Sequence, residues 1–192
     1  QIVSKATERL SEGELFQMMN IGNTDLSEAS YFQVIADKTA VLMEAACRGG
    51  AILGNLDPEK EDALASFGFN LGMAFQVTDD VIDYRSDKET MGKTPGKDIT
   101  EGKLTLPLIL ALKNASESER AWIRSVIDSR QISSDDLMRL RDFLDMTGGI
   151  SEALANSRKY LEDAVHKISI FPYSEEKRAL IKLSDRILHR TY

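Results

Sequence analysis

The sequence predicts an all-α chain. Three observations carry that reading. Apolar residues recur at helical spacing through nearly every segment, no alternating strand pattern runs beyond a few residues, and the segments are separated by helix-type caps and breakers. The chain has 192 residues, 42% of them hydrophobic, and four prolines. That suits one ordered domain, or a piece of a larger one, with a sizeable core.

Taken in order, residues 1–20 place Ile2, Ala6, Leu10, Leu15 and Met18 on a helical repeat that Ile21-Gly22-Asn23 breaks. The pattern is helical from Gln1 onward, so the chain is expected to begin inside a longer protein. Gly13 sits mid-helix, where glycine costs about 1 kcal/mol relative to alanine, and a close helix contact is expected there. A second helix is expected over 27–53, with Ser27 as N-cap and Glu28 beside it. At about 100° per residue, Tyr31, Val34, Ile35, Leu42, Ala45 and Gly49 fall within about 60° of Lys38. A lysine on that face needs an anionic partner, or it reaches out to water. The same helix ends on Ala45, Ala46, Gly49, Gly50, Ala51 and Gly54, which allows either close packing or room for a long ligand.

Asp57-Pro58 opens a third helix that runs to about Arg85. Residues 86–103 form a polar loop with three glycines and one proline. Leu104 to Leu112 resume an apolar helix with Pro107 near its start. Ser116 and Glu119 make a capping-box pattern for a helix to 129. Further helices are expected over 134–147, closed by Gly148-Gly149, over 150–170, closed by Pro172, and over 174–189.

The chemistry concentrates between Gly68 and Pro107. Asp79, Asp80 and Asp83 follow the inner face of the third helix, defined by Leu64, Gly68, Leu71, Gly72, Phe75 and Ile82. Asp79 lies about 20° from Gly68 and Asp83 about 60°, with Gln76 and Asp80 flanking at about 80° and 120°. Like charges so close to a buried stripe are unfavourable unless cations join them. Carboxylates at i and i+4 stand about 5–6 Å apart at Cβ, which suits the hard oxygen coordination of Mg²⁺. Zinc would want His or Cys, and only Cys47, His166 and His189 occur. The spacing of an EF-hand loop is absent. Lys93 and Lys103 each follow a glycine in the loop, so they can fold over an anion, as point-charge phosphate ligands do. Together these features point to a diphosphate held through Mg²⁺. The competing reading is a solvated acidic helix end followed by a basic loop. No P-loop, Ser/His/Asp set or Cys/His set is present.

A formal charge of −7 argues against a nucleic-acid partner. A single cysteine rules out an internal disulfide and fits a reducing compartment such as the cytoplasm. No stretch has the roughly 18 apolar residues of a membrane span, and no signal peptide is visible.

Lys38-Thr39, GMAFQVTDDVIDY and GKTPGKDITEGKLTLP together resemble the trans-isoprenyl diphosphate synthases, or polyprenyl synthetases. The resemblance extends over the whole chain, more weakly after about Asn114, and the loop wording is most like long-chain enzymes that make quinone side chains. It implies an isoprenoid synthase-type helical bundle around a central cavity. The reaction implied is head-to-tail condensation of isopentenyl diphosphate with an allylic diphosphate, assisted by Mg²⁺. By position it assigns metal binding to Asp79, Asp80 and Asp83, and diphosphate binding to Lys38, Lys93 and Lys103. By the same resemblance Gln76 and Thr39 would lie beside the diphosphate, and the full-length protein would be a homodimer. Residues 1–67 contain no DDxxD and no Arg-Arg, both of which such enzymes carry. The chain is therefore expected to be the C-terminal part of a single prenyltransferase domain, inactive alone. A non-catalytic helical partner subunit and a terpene cyclase are the alternatives.

Overall fold

The computed structural model describes residues 1–85 and 96–189, and all regular structure among them is helical. The order is α1 (Ile2–Met19), α2 (Glu28–Ile35), a π-helical turn (Ala36–Ala40), α3 (Val41–Leu53), α4 (Pro58–Arg85), α5 (Lys97–Thr100), α6 (Leu106–Leu112), α7 (Glu117–Ser129), α8 (Ser134–Met146), α9 (Gly149–Lys167), a 3₁₀ turn (Ile168–Ile170) and α10 (Glu175–Leu188).

Local chemistry explains the boundaries. Ser116 and Glu119 close the expected capping box, and Ser133 and Ser174 accept the backbone N–H of Asp136 and Lys177. Asp57 accepts the N–H of Lys60 just before Pro58 opens α4. Gly148 takes the left-handed conformation, with φ of 76°. Gly149 does not cap the preceding helix as expected. It opens α9, and a Cβ there would collide with the Pro107 carbonyl.

The chain forms two compact units. One takes Gln1–Phe16, Phe32–Gln76 and the chain from Asn156; the other takes Gln17–Tyr31 and Val77–Ala155. In the first unit, Phe67, Leu71 and Ala74 of α4 pack with Leu161 and Ala164 of α9, Ile168 and Ile187. Gly72 brings α4 onto the π turn, since a Cβ would stand 2.6 Å from Ala40 Cα. A smaller cluster joins Ala6 to Val41 and Ala45. In the second unit every residue of α6 is buried, as are Ile123, Ile127, Leu140 and Leu144.

Five expectations need correction. The helix over 27–53 is divided by the π turn, which changes the angle between residues before and after it. Leu42, placed on the inner face by a regular wheel, is 51% exposed. A Cβ on Gly49 or Gly50 would meet nothing within 4 Å, so close packing does not explain those glycines. In α1, Leu15 and Met18 are exposed while Ala6 and Gly13 are buried, because α1 meets its neighbours through small residues. Residues 86–103 are expected to be irregular polar loop throughout. Residues 96–103 instead form α5 and a turn, with Ile99 fully buried, and the remainder lies outside the described residues.

Candidate functional site

In the first unit the π turn carries Lys38 and Thr39. Such insertions recur at functional sites because the wider turn re-aims side chains and disturbs the regular backbone ladder. Thr39 Oγ1 donates to Gln76 Oε1 at 2.9 Å, so two predicted residues 37 positions apart meet directly. Lys38 does not lie deep in the core. Its side chain is 33% exposed and its Nζ is 2.8 Å from Glu14 Oε2. The anionic partner expected from the wheel is therefore present, at the solvent margin.

Four residues of this arrangement escaped the sequence reading. Asp37 is buried, and Arg9 holds its Oδ1 through Nε at 2.7 Å and Nη2 at 2.5 Å. Gln33 donates to the other carboxylate oxygen. Glu14 pairs with Lys38. The signal was Gly13: a Cβ there would stand 2.8 Å from Asp37 Cβ and 2.9 Å from the Lys38 nitrogen. The mid-helix glycine marks where α1 backs onto the π turn, and Arg9 and Glu14 flank that point with opposite charges.

In the second unit Asp80 is the most buried of the three acids, at 4% exposure, although the wheel put it furthest from the apolar stripe. The reason is that α4 is buried on several faces here, through Val77, Thr78, Val81 and Tyr84, and so has no single inner stripe. Tyr31 donates its hydroxyl to Asp80 Oδ2 at 2.6 Å. Burial, then the neighbouring Asp80 charge, push the Tyr31 hydroxyl well above its ordinary pKa.

Asp83 faces α5. Its Oδ1 accepts the Lys97 N–H at 3.3 Å and its Oδ2 the Asp98 N–H at 3.1 Å, while its backbone carbonyl accepts Gly96 N–H at 3.0 Å. Burial, then the Asp98 charge, raise its pKa to about 6, against the opposing pull of the two amide bonds. Beyond α5 the chain turns at Gly102, with φ of 77°. Gly22 N–H bonds the Gly102 carbonyl at 2.8 Å, Lys103 N–H bonds the Asp98 carbonyl at 2.9 Å, and Arg130 donates to the Glu101 carbonyl. The left-handed φ favours glycine at 102, and a Cβ there would stand 2.5 Å from Arg130 Nη1, the end of a side chain that would have to move aside. Lys103 Nζ lies 2.5 Å from Glu101 Oε2 and is 25% exposed. Bonding to Lys103 lowers the Glu101 carboxyl pKa. Asp79 is half-buried. Lys93 lies outside the described residues.

The donor chemistry of Asp79, Asp80 and Asp83 suits a hard divalent cation. Among the described residues, no group of three or more His, Cys, Asp or Glu is placed to hold a metal by itself. The first unit also contains an apolar cavity of about 480 Å³ against Met43, Ala46, Cys47, Leu71, Phe75 and Ile187, and among the described residues none of the predicted site residues lines it. No helix among the described residues is long and apolar enough to cross a membrane.

Comparison with known proteins converges on one family. Residues 1–144 match the family profile described as Polyprenyl synthetase. The octaprenyl diphosphate synthase of Haemophilus influenzae is 36% identical over 193 residues, covering 100% of this chain and 58% of the relative. The Escherichia coli octaprenyl diphosphate synthase is 33% identical over 191 residues, covering 99% and 58%. Among solved structures, a Caulobacter crescentus polyprenyl synthase complexed with calcium and isoprenyl diphosphate superimposes with a TM-score of 0.92 at 35% identity, covering 98% of this chain and 58% of that one. The chain thus spans a little over half the length of these relatives.

Proposed function

The chain belongs to the polyprenyl synthetase family, and on that premise we propose that it carries part of the active site of a trans-polyprenyl diphosphate synthase. The reaction is head-to-tail condensation of isopentenyl diphosphate with an allylic diphosphate, in an enzyme of the long-chain type that supplies quinone side chains and works as a homodimer. The observation that carries the reading is the Thr39–Gln76 hydrogen bond. It joins two of the motifs through a side-chain contact that a merely solvated charge pattern would not need.

In this reading Lys38, Lys93 and Lys103 bind the allylic diphosphate, and Asp79, Asp80 and Asp83 hold Mg²⁺ directly or through water. Bound Mg²⁺ supplies positive charge that stabilises the departing diphosphate. The lysines add charge-assisted hydrogen bonds to the same oxygens. Gln76, oriented by Thr39, lies beside the diphosphate. Thr39 uses its O–H as the donor to Gln76 Oε1, which leaves its oxygen lone pairs free to accept a hydrogen bond. Tyr31 fixes one Asp80 oxygen, and such support of a metal-binding carboxylate is commonly worth about 10- to 100-fold in metal affinity.

Calorimetric titration of the chain with inorganic diphosphate tests the reading. Binding should require MgCl₂ and weaken at least about tenfold in Asp79→Asn. Failure of the wild-type chain to bind diphosphate in the presence of MgCl₂ would overturn it. With both diphosphate substrates and Mg²⁺, the chain by itself should form no prenyl product, and robust product would refute that expectation.

A further inference from the structure

Lys38 and Lys103 belong to different units and lie on unrelated local structures, a π-helical turn and a glycine corner. Each is nevertheless met by a glutamate from nearby. Glu14 Oε2 is 2.8 Å from Lys38 Nζ, and Glu101 Oε2 is 2.5 Å from Lys103 Nζ. Both carboxylates are substantially open to solvent, at 48% for Glu14 and 40% for Glu101. Neither is a core ion pair, and neither is needed to neutralise a charge locked away from water. An exposed pair of this kind contributes little to folding, so stability does not account for the recurrence.

The surroundings of each pair point the same way. The backbones beneath the lysines are fixed independently of the glutamates: Lys38 by the approach of Gly13 to Asp37 and Lys38, Lys103 by its N–H bond to Asp98 and the bracing of Gly102 by Gly22. The carboxylates therefore act on ammonium ends and not on the backbone turns, Glu101 meeting Lys97 Nζ through its other oxygen at 3.4 Å as well as Lys103. A carboxylate offers a lysine the same kind of anionic oxygen that a phosphate does, with less charge and no bound cation. An exposed carboxylate returns to water at small cost, and a phosphate oxygen can then take its place.

We infer that Glu14 and Glu101 are internal stand-ins for the diphosphate: each holds a ligand-binding lysine in place in the ligand-free protein and is exchanged for phosphate oxygens on binding. The inference rests on the proposed role of these lysines. Its consequence is a direction of effect that loss of structure cannot produce. Removing the charge of either glutamate removes a competitor, so diphosphate binds more tightly.

Calorimetric titration of inorganic diphosphate at fixed MgCl₂ separates the possibilities, with thermal melting by circular dichroism to confirm folding. Lys38→Ala and Lys103→Ala should each weaken binding about tenfold, the loss expected for one charge-assisted hydrogen bond. Glu14→Gln and Glu101→Gln should each tighten it about two- to fivefold, the range expected for release from an exposed ion pair. Unchanged affinity in both lysine variants would overturn the proposed role of the lysines. Weakened lysine variants with glutamine variants that bind no better than wild type would overturn the stand-in role while leaving the lysine role intact. The two pairs are independent, so if one glutamine variant fails to fold the other decides.

Discussion

Lys38 and Lys103 reach similar settings by opposite routes. Lys38 sits on a turn whose backbone is placed by packing: Gly13 of α1 touches Asp37 and Lys38, and Gly72 of α4 touches Ala40. Lys103 sits on a turn placed by hydrogen bonds, with Asp83 gripping Lys97 and Asp98, and Gly22 and Arg130 holding Gly102 and Glu101. The first arrangement depends on the absence of side-chain atoms at two glycines. The second depends on the presence of polar ones. Two kinds of mutation should therefore separate them.

The largest effect is expected from Asp83→Ala. It removes the carboxylate from two backbone N–H groups, at about 1.5–3 kcal/mol for a hydrogen bond to a charged group. Amide exchange at Lys97 and Asp98 should accelerate by about 100-fold, with exchange around Lys38 unchanged; equal acceleration in both regions would erase the contrast. Gly13→Ala should act on the other side alone. Its Cβ would stand under 3 Å from Asp37 and the Lys38 backbone, and overpacking of this sort costs about 1–3 kcal/mol, less about 1 kcal/mol of helix propensity. A lower melting temperature is expected, and a stabilised variant would show that α1 does not press on the π turn. Tyr31→Phe deletes only the hydroxyl on Asp80, with an expected loss near about 1.5 kcal/mol in denaturant unfolding. No change there would mean that Asp80 is held without it. The smallest effect is expected from Ser116→Ala, which removes the α7 capping box at a cost of about 1 kcal/mol and should leave diphosphate binding untouched.

These contacts also mark where the sequence was legible. The helix from Pro58 to Arg85 and the Ser116 capping box were readable because their signals are local: a proline at a first turn, and a serine three residues before a glutamate. Lys38 and the aspartates could be named from residue type and spacing, and the site roles of Thr39 and Gln76 from the resemblance of their segments to the family. Arg9, Glu14, Asp37 and Glu101 could not. Each is a charged residue on a polar-looking helix or turn, and its role depends on what stands opposite. The wheel failed at Leu42 because it assumed a regular α-helix across the π turn, and at Asp80 because it assumed that α4 has one buried side.

By itself the sequence determined an all-α chain with its principal helix starts and stops and its set of candidate acids and lysines. Those properties follow from periodicity and capping within a few residues, where the chain's own neighbours dominate the energy. Tertiary structure alone decided that Asp80 is the buried acid under Tyr31, that Asp83 grips a backbone turn, and that Lys38 and Lys103 each face a glutamate. Burial, hydrogen-bond partners and the charges opposite a side chain are set by segments distant in sequence. Helical spacing gives a residue its direction, and packing decides what it meets there.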